Sequence, residues 1–156
     1  MEETEIKEKI LSGAQQLFMK YGIRSVSMDD ISRHLAISKK TLYQYFADKD
    51  ELVTLVAKAH LAGQKVRYES IEQQSENAID ELHQIAVCLR HDMQEMSPTV
   101  LHDIQKFHSK AWNVFEDYKN DVIHASVVRN IKQGIEDGHF RSDINPDVMA
   151  ALRLAN

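Results

Sequence analysis

The chain has 156 residues, 43% of them hydrophobic and 28% charged, with a formal net charge of −5. That composition excludes intrinsic disorder and supplies core for one domain, or for a small module fused to a larger one. The lone cysteine, Cys88, excludes an intramolecular disulfide and a cysteine-based zinc site and fits a reducing compartment. The charged start MEETEIKEKI is not a signal peptide, and nowhere do about 18 apolar residues run together as a membrane span requires. A cytoplasmic location is the expectation.

Two prolines, five glycines and long stretches with apolar residues every three or four positions predict an all-α fold. Ile6, Ile10, Ala14, Leu17, Phe18 and Tyr21 share one helical face, and Gly22 follows where a helix commonly ends. Ser27 then offers an N-cap with Asp30 three residues on, and Val26 and Ile31 form a hydrophobic staple. Ser38 repeats the device with Ile37 and Leu42. Asp48 caps the next helix with Glu51 as its partner.

Starts at 27, 38 and 48 leave room for helices of about two turns, too short to survive unpacked. Helices at 28–34 and 39–46 around Leu35-Ala36-Ile37 make a helix-turn-helix with Ile31, Leu35, Ile37, Leu42 and Phe46 inward. Lys39, Lys40, Thr41, Gln44 and Tyr45 are then left outside, with Tyr43 at the rim, its ring packed and its hydroxyl outward.

A long helix runs from Asp48 to about Gln74 through Leu52, Leu55, Val56, Ala59, Ala62 and Val66. Another, from Ile79 to Met96, stops at Ser97-Pro98, which caps the next. A helical region from Ala111 closes at Gly138, and Asn145-Pro146 starts a last helix. Nothing terminates that helix before Asn156, so the chain reads as truncated. The expected division is 1–50 and 51–156.

Charge is distributed unevenly. Residues 1–50 balance eight Lys/Arg against eight Asp/Glu, and residues 51–156 carry the net −5. Within 20–49 there are six basic residues against three acidic, the local patch that a phosphate-binding surface needs.

A helix-turn-helix lays its second helix in the major groove. There Lys39 and Lys40 can approach phosphates or guanine O6 and N7, and Gln44 can pair with adenine. Hydroxyls of Ser27, Thr41, Tyr43 and Tyr45, with Lys49, suit phosphates. The segment VSMDDISRHLAISKKTLYQYFADKDELV resembles the DNA-binding region of the TetR family of bacterial transcriptional regulators. Ser27, Ile31, Ile37, Ser38, Thr41, Leu42, Tyr43, Tyr45, Phe46, Lys49 and Leu52 carry the match, over about residues 4–64 with the motif at 27–46. Ala36 stands where the family usually has Gly. The stretch GIEDGHFRSDINPDVMA resembles the family's Gly-Phe turn and acidic-Pro helix start.

The resemblance implies a homodimer whose C-terminal helical domain binds a small-molecule effector and dimerises, joined by the long helix to the helix-turn-helix. It implies a repressor acting on a palindromic double-stranded DNA operator, with no catalytic residue, metal or cofactor beyond the unknown effector. Leu89, Met93, Met96, Phe107, Trp112 and Phe115 are the candidate pocket residues, although such a stripe is more often plain core.

Two alternatives stay open. One is a helical protein-interaction module whose basic patch is incidental, and the other a metal-dependent enzyme using His91, Glu95, Asp103 and His108, whose spacing lacks a dense ligand cluster. Cys88, among Ile85, Ala86 and Leu89, reads as a buried inert thiol.

Overall fold

Local capping chemistry starts most of the helices in the computed structural model, which describes residues 2–155, with side chains to Leu152. In chain order they are α1 (Glu3–Tyr21), α2 (Met28–His34), α3 (Lys39–Tyr45), α4 (Lys49–Gln74), α5 (Ala78–Glu95), α6 (Pro98–Phe107), α7 (Ser109–Tyr118), a π-helical segment (Lys119–His124), α8 (Ala125–Glu136) and α9 (Pro146–Ala155). No strand occurs among the described residues. None of the described helices is long and apolar enough to cross a membrane.

The chain divides into two compact units, one of residues 1–60 and 95–114, the other of 61–94 and 115–156. The expected cut near residue 50 follows the sequence, whereas the observed division places α6 with the helix-turn-helix. Helix α4 contributes residues to both units, because a single hydrogen-bonded helix runs through the change of unit at Leu61.

In the first unit, α1 ends at Gly22, whose N–H donates to the Phe18 carbonyl at φ 87°, a backbone angle that disfavours any side chain. Helix α2 carries the full capping box: the Ser27 hydroxyl accepts from the Asp30 N–H at 3.1 Å, and the Asp30 carboxylate accepts from the Ser27 N–H at 2.9 Å. Those bonds hold the Asp30 carboxyl below the usual carboxylate pKa, the backbone amide first and the hydroxyl second. Ser38 caps α3 by accepting from the Thr41 N–H at 3.0 Å.

Asp48 accepts from the Glu51 N–H at 2.8 Å, but Glu51 reaches back to the Ala47 N–H instead of the Asp48 amide. The expected capping box is therefore shifted by one residue on its return side. Ser97 precedes Pro98 as expected, yet its side chain makes no capping bond.

Beneath these caps lies the core of the first unit. Ile10, Ala14, Phe18, Ile23, Val26, Ile31, Leu42, Phe46 and Leu52 are buried, while Leu35 and Ile37 are half-buried. Leu35 lies against Gly13 of α1, where an added methyl would collide with it. Helix α6 contributes Val100 and Ile104 to the buried set, along with Asp103, which accepts from the Arg24 N–H at 3.1 Å.

Unit two is held by interactions between residues distant in sequence. Asn130 of α8, 1% exposed, donates through Nδ2 to the Ala78 carbonyl at 2.9 Å and to Glu81 Oε1 at 2.7 Å, both on α5. Arg129 completes the set, 3.6 Å from Glu81 and 3.4 Å from Glu72. Burying a carboxylate without such donors would be costly.

Val127, Ile131 and Ala150 form a core joined by Ile123, Val128, Ile135 and Ile144. The Phe140 ring packs on Gly134, leaving no room for a Cβ, and the His139 and Phe140 amides donate to the Gly134 carbonyl. The Gly-Phe turn is thus a close-packed closure of α8. Asn145 caps α9, accepting from the Val148 N–H at 3.1 Å. Asn156, where the uncapped end of that helix was expected, lies outside the described residues. Cys88, expected buried, is half-buried.

Candidate nucleic-acid interface

Helix α3 is seven residues long and is held by two side chains, Leu42 and the following Phe46, both almost wholly buried. Anchoring through those two positions, four apart, turns the remaining residues outward. Lys39, Lys40, Tyr43 and Gln44 are exposed, and Thr41 and Tyr45 half-buried. Tyr43, expected at the rim with its ring packed, is 45% exposed, and Tyr45 takes the more sheltered place. Helical phase explains the exchange, because Tyr45 follows the buried Leu42 by three residues and Tyr43 by only one.

Among the eight expected DNA-facing residues the structure makes further distinctions. Lys40, Tyr43 and Gln44 present their side chains to solvent from one short helix. Lys39 is also exposed, but its ammonium lies 2.8 Å from Asp29 on α2. The Ser27 and Thr41 hydroxyls are occupied in caps, Thr41 sharing a 2.9 Å hydrogen bond with Ser38.

Lys49 departs most from expectation. Its ammonium donates to the Ile23 carbonyl at 2.6 Å, tying the start of α4 to the α1–α2 turn. Burial pulls its pKa below the usual lysine value, while Asp103 and then Asp30 pull the other way. A lysine so engaged buttresses the helix-turn-helix from behind. The sequence offered no sign of this, because Ile23 is 26 residues away. Nor does the sequence pattern distinguish Asp29 from the other acidic residues of this basic stretch, although it alone meets Lys39.

The turn between α2 and α3 has Ala36 at φ 54°. That is the left-handed region where glycine is at ease and alanine is strained. The departure noted at Ala36 is therefore a real backbone cost, carried because the turn must redirect the chain within three residues.

The six expected pocket residues are divided between the units. Leu89, Met93 and Phe115 belong to the second, and Met96, Phe107 and Trp112 to the first. Met93 is 68% exposed and Phe107 44%. The Phe107 ring instead takes the Arg24 guanidinium at 4.9 Å and the Lys106 ammonium at 5.4 Å. In the second unit a groove of about 570 Å³ runs past His124, Val128, Arg129, Lys132, Glu136 and Asp147, and none of the six lines it.

A polar cluster also lies in that unit. Asp92 accepts from Arg67 at 2.6 Å and from the Tyr68 hydroxyl at 3.2 Å. Tyr118 is held nearly unable to ionise: burial and then Asp92 push its pKa up to about 12.

Of the residues weighed as metal ligands, Asp103 serves the Arg24 amide, His108 shares a 2.9 Å hydrogen bond with Asp50, and His91 lies 3.8 Å from Asp92. Among the described residues no three His, Cys, Asp or Glu side chains converge on a common point suited to a metal ion.

Residues 10–56 match the family model described as bacterial regulatory proteins, tetR family. Residues 10–56 are thus similar to the DNA-binding region of the TetR family. Over 150 residues this regulator is 26% identical to the HTH-type transcriptional regulator YvaF of Bacillus subtilis, covering 96% of this chain and 77% of that protein. It is 24% identical over 144 residues to the HTH-type transcriptional repressor KstR2 of Mycobacterium tuberculosis, covering 90% and 72%. In fold it is similar to a transcriptional regulator from Saccharomonospora viridis in complex with choline, with a TM-score of 0.83, 19% identity and coverage of 98% and 81%. The chain is accordingly an all-helical, DNA-binding transcriptional regulator.

Proposed function

We propose that this regulator represses transcription as a two-fold homodimer on a palindromic operator in the cytoplasm, and that a small-molecule effector releases it. The observation that carries the reading is the α3 surface, where Lys40, Tyr43 and Gln44 stand exposed on a helix pinned by Leu42 and Phe46. A lysine for phosphate or guanine, an amide for adenine and a phenol for phosphate make a base-reading set with a backbone clamp. Ser27, Thr41 and Tyr45 hold secondary positions around it. Lys39 is a conditional contact, and Lys49 supports the motif from within.

Dimerisation supplies the second reading head. Two α3 helices must meet half-sites about 34–36 Å apart, so a modest change in their separation abolishes simultaneous docking. Helix α4, which supplies residues to both units, is the continuous element through which effector occupancy would reach α3. The named relatives, a repressor and a regulator crystallised with choline, support repression and small-molecule control as the form of the answer without naming this chain's ligand.

The test is selection of bound fragments from fragmented bacterial genomic DNA, followed by gel shifts on the recovered site. Lys40→Ala, Tyr43→Ala and Gln44→Ala together should abolish the shifted band. A triple variant that folds and still binds the same site with wild-type affinity removes α3 from the interface. Thermal-shift screening of apolar, hydroxylated and quaternary-ammonium compounds, with Leu89→Ala and Phe115→Ala as controls, tests the effector reading separately.

A further inference from the structure

Asp29 is out of place on a surface meant for phosphates. It lies in the first turn of α2, exposed, and its carboxylate meets the Lys39 ammonium at 2.8 Å, with 52% and 59% of the two side chains open to solvent. An ion pair this exposed contributes little to folding, so stability does not explain it. The Asp29 hydrogen bond and charge raise the Lys39 pKa, the hydrogen bond foremost, so the lysine stays charged and paired.

We propose that Asp29 is a specificity-determining residue, which withholds Lys39 from the phosphates of non-cognate DNA and reserves it for neutral acceptors on base edges. The inference rests on α3 being the DNA-reading helix. Two opposite charges 2.8 Å apart present a dipole, and a phosphate approaching Lys39 meets the Asp29 carboxylate as well. To bind that phosphate the lysine must exchange one anion for another. No counterion is released by the exchange, so the contact adds nothing to non-specific affinity.

A guanine edge is different, because its O6 and N7 are uncharged. A lysine ammonium has three N–H donors, so one can remain on Asp29 while the others reach the base. Lys40, the next residue, has no such carboxylate among the ion pairs of the described residues and is left to serve phosphate. Adjacent lysines are thereby given different tasks by one acidic side chain on the preceding helix.

The experiment is fluorescence anisotropy of the full chain on a mixed-sequence duplex two to three helical turns long, across a salt series. Lys39→Ala should change non-specific affinity less than about twofold, whereas Lys40→Ala should weaken it about five- to tenfold near 0.1 M salt. Asp29→Asn should tighten non-specific binding by a similar factor and steepen the log–log salt slope by about 0.9, one added phosphate contact. That gain should vanish when Asp29→Asn is made in the Lys39→Ala background, because its cause is the freed lysine.

Persistence of the gain without Lys39 would mean that Asp29 acts only as general negative charge, which overturns the proposal. So would an unchanged salt slope in Asp29→Asn, or equal losses from Lys39→Ala and Lys40→Ala. If Lys40→Ala also leaves binding untouched, the failure lies one level down, in the assignment of α3 itself.

Discussion

The helix-turn-helix and the second unit are both helical and both packed on aliphatic side chains, yet they are held together at different ranges. From Ser27 to Glu51 the polar bonds that start each helix close within three or four residues: Ser27 with Asp30, Ser38 with Thr41, Asp48 with Glu51. In the second unit, beyond the local caps at Asn77 and Asn145, side-chain bonds span 49 and 52 residues for Asn130 and 24 and 25 for Asp92. Local bonds can be read along the chain. Distant ones depend on where the packing of whole helices brings two side chains together, and this is why the Ser27 cap is legible in the sequence while the bond from Lys49 to the Ile23 carbonyl is not.

The sharpest way to break the comparison is to remove what the first unit holds in common. Phe46→Ala empties a site where 1% of the residue is exposed and should cost about 3–5 kcal/mol, unfolding the DNA-reading unit first. Urea denaturation followed by site-specific fluorescence in each unit would show it. Simultaneous loss of both units would mean that they form one cooperative block.

Asn130→Ala attacks the second unit in its own terms. It removes a donor from the Ala78 carbonyl and from the Glu81 carboxylate, which keeps only Arg129 at 3.6 Å, and should cost about 2–3 kcal/mol, although no apolar core residue is touched. Equilibrium unfolding compared with Val128→Ala, a partly buried apolar truncation on the same helix, separates the polar network from ordinary packing.

Ala36→Gly should go the other way. Relief of a left-handed alanine outweighs the added freedom of the unfolded chain, for a gain of about 0.5–1 kcal/mol confined to the first unit. Calorimetry in which only the second unit gained stability would show that the turn is not the strained element.

The smallest effect concerns pH. The Asp30 pKa is lowered in the folded state, so its stabilising effect is present above the ordinary value of 3.8 and is lost as pH falls through the lowered one. Melting curves of wild type and Asp30→Asn should therefore differ by a constant amount from about pH 5 to 8, and converge only in strong acid. A difference that changed near neutrality would assign the effect to another group.

Much of the fold was legible, including the α2–α3 motif, the long α4, the Ser97-Pro98 boundary and the Asn145 cap. The π-helical turn at Lys119–His124 was not, because widening a helix by one residue leaves no mark in an apolar pattern that stays close to helical spacing. The Asn77 cap of α5, accepting from the Asp80 N–H, follows the same three-residue spacing as the other caps. On α3, the exposure of Lys40, Tyr43 and Gln44 followed from subtracting the buried positions. The occupation of Lys39 by Asp29 did not.

By itself the sequence determined the helical class, the motif, the two anchoring residues of α3 and which side chains could face DNA, because caps and periodicity act over one or two turns. Only the tertiary structure decided which of those side chains are free to act. It turned Lys49 inward to the Ile23 carbonyl, set Asp29 against Lys39, and placed α6 with the helix-turn-helix through Asp103 and Arg24. Each of these is a meeting of groups from different helices, and helix packing, which no local pattern encodes, sets such meetings.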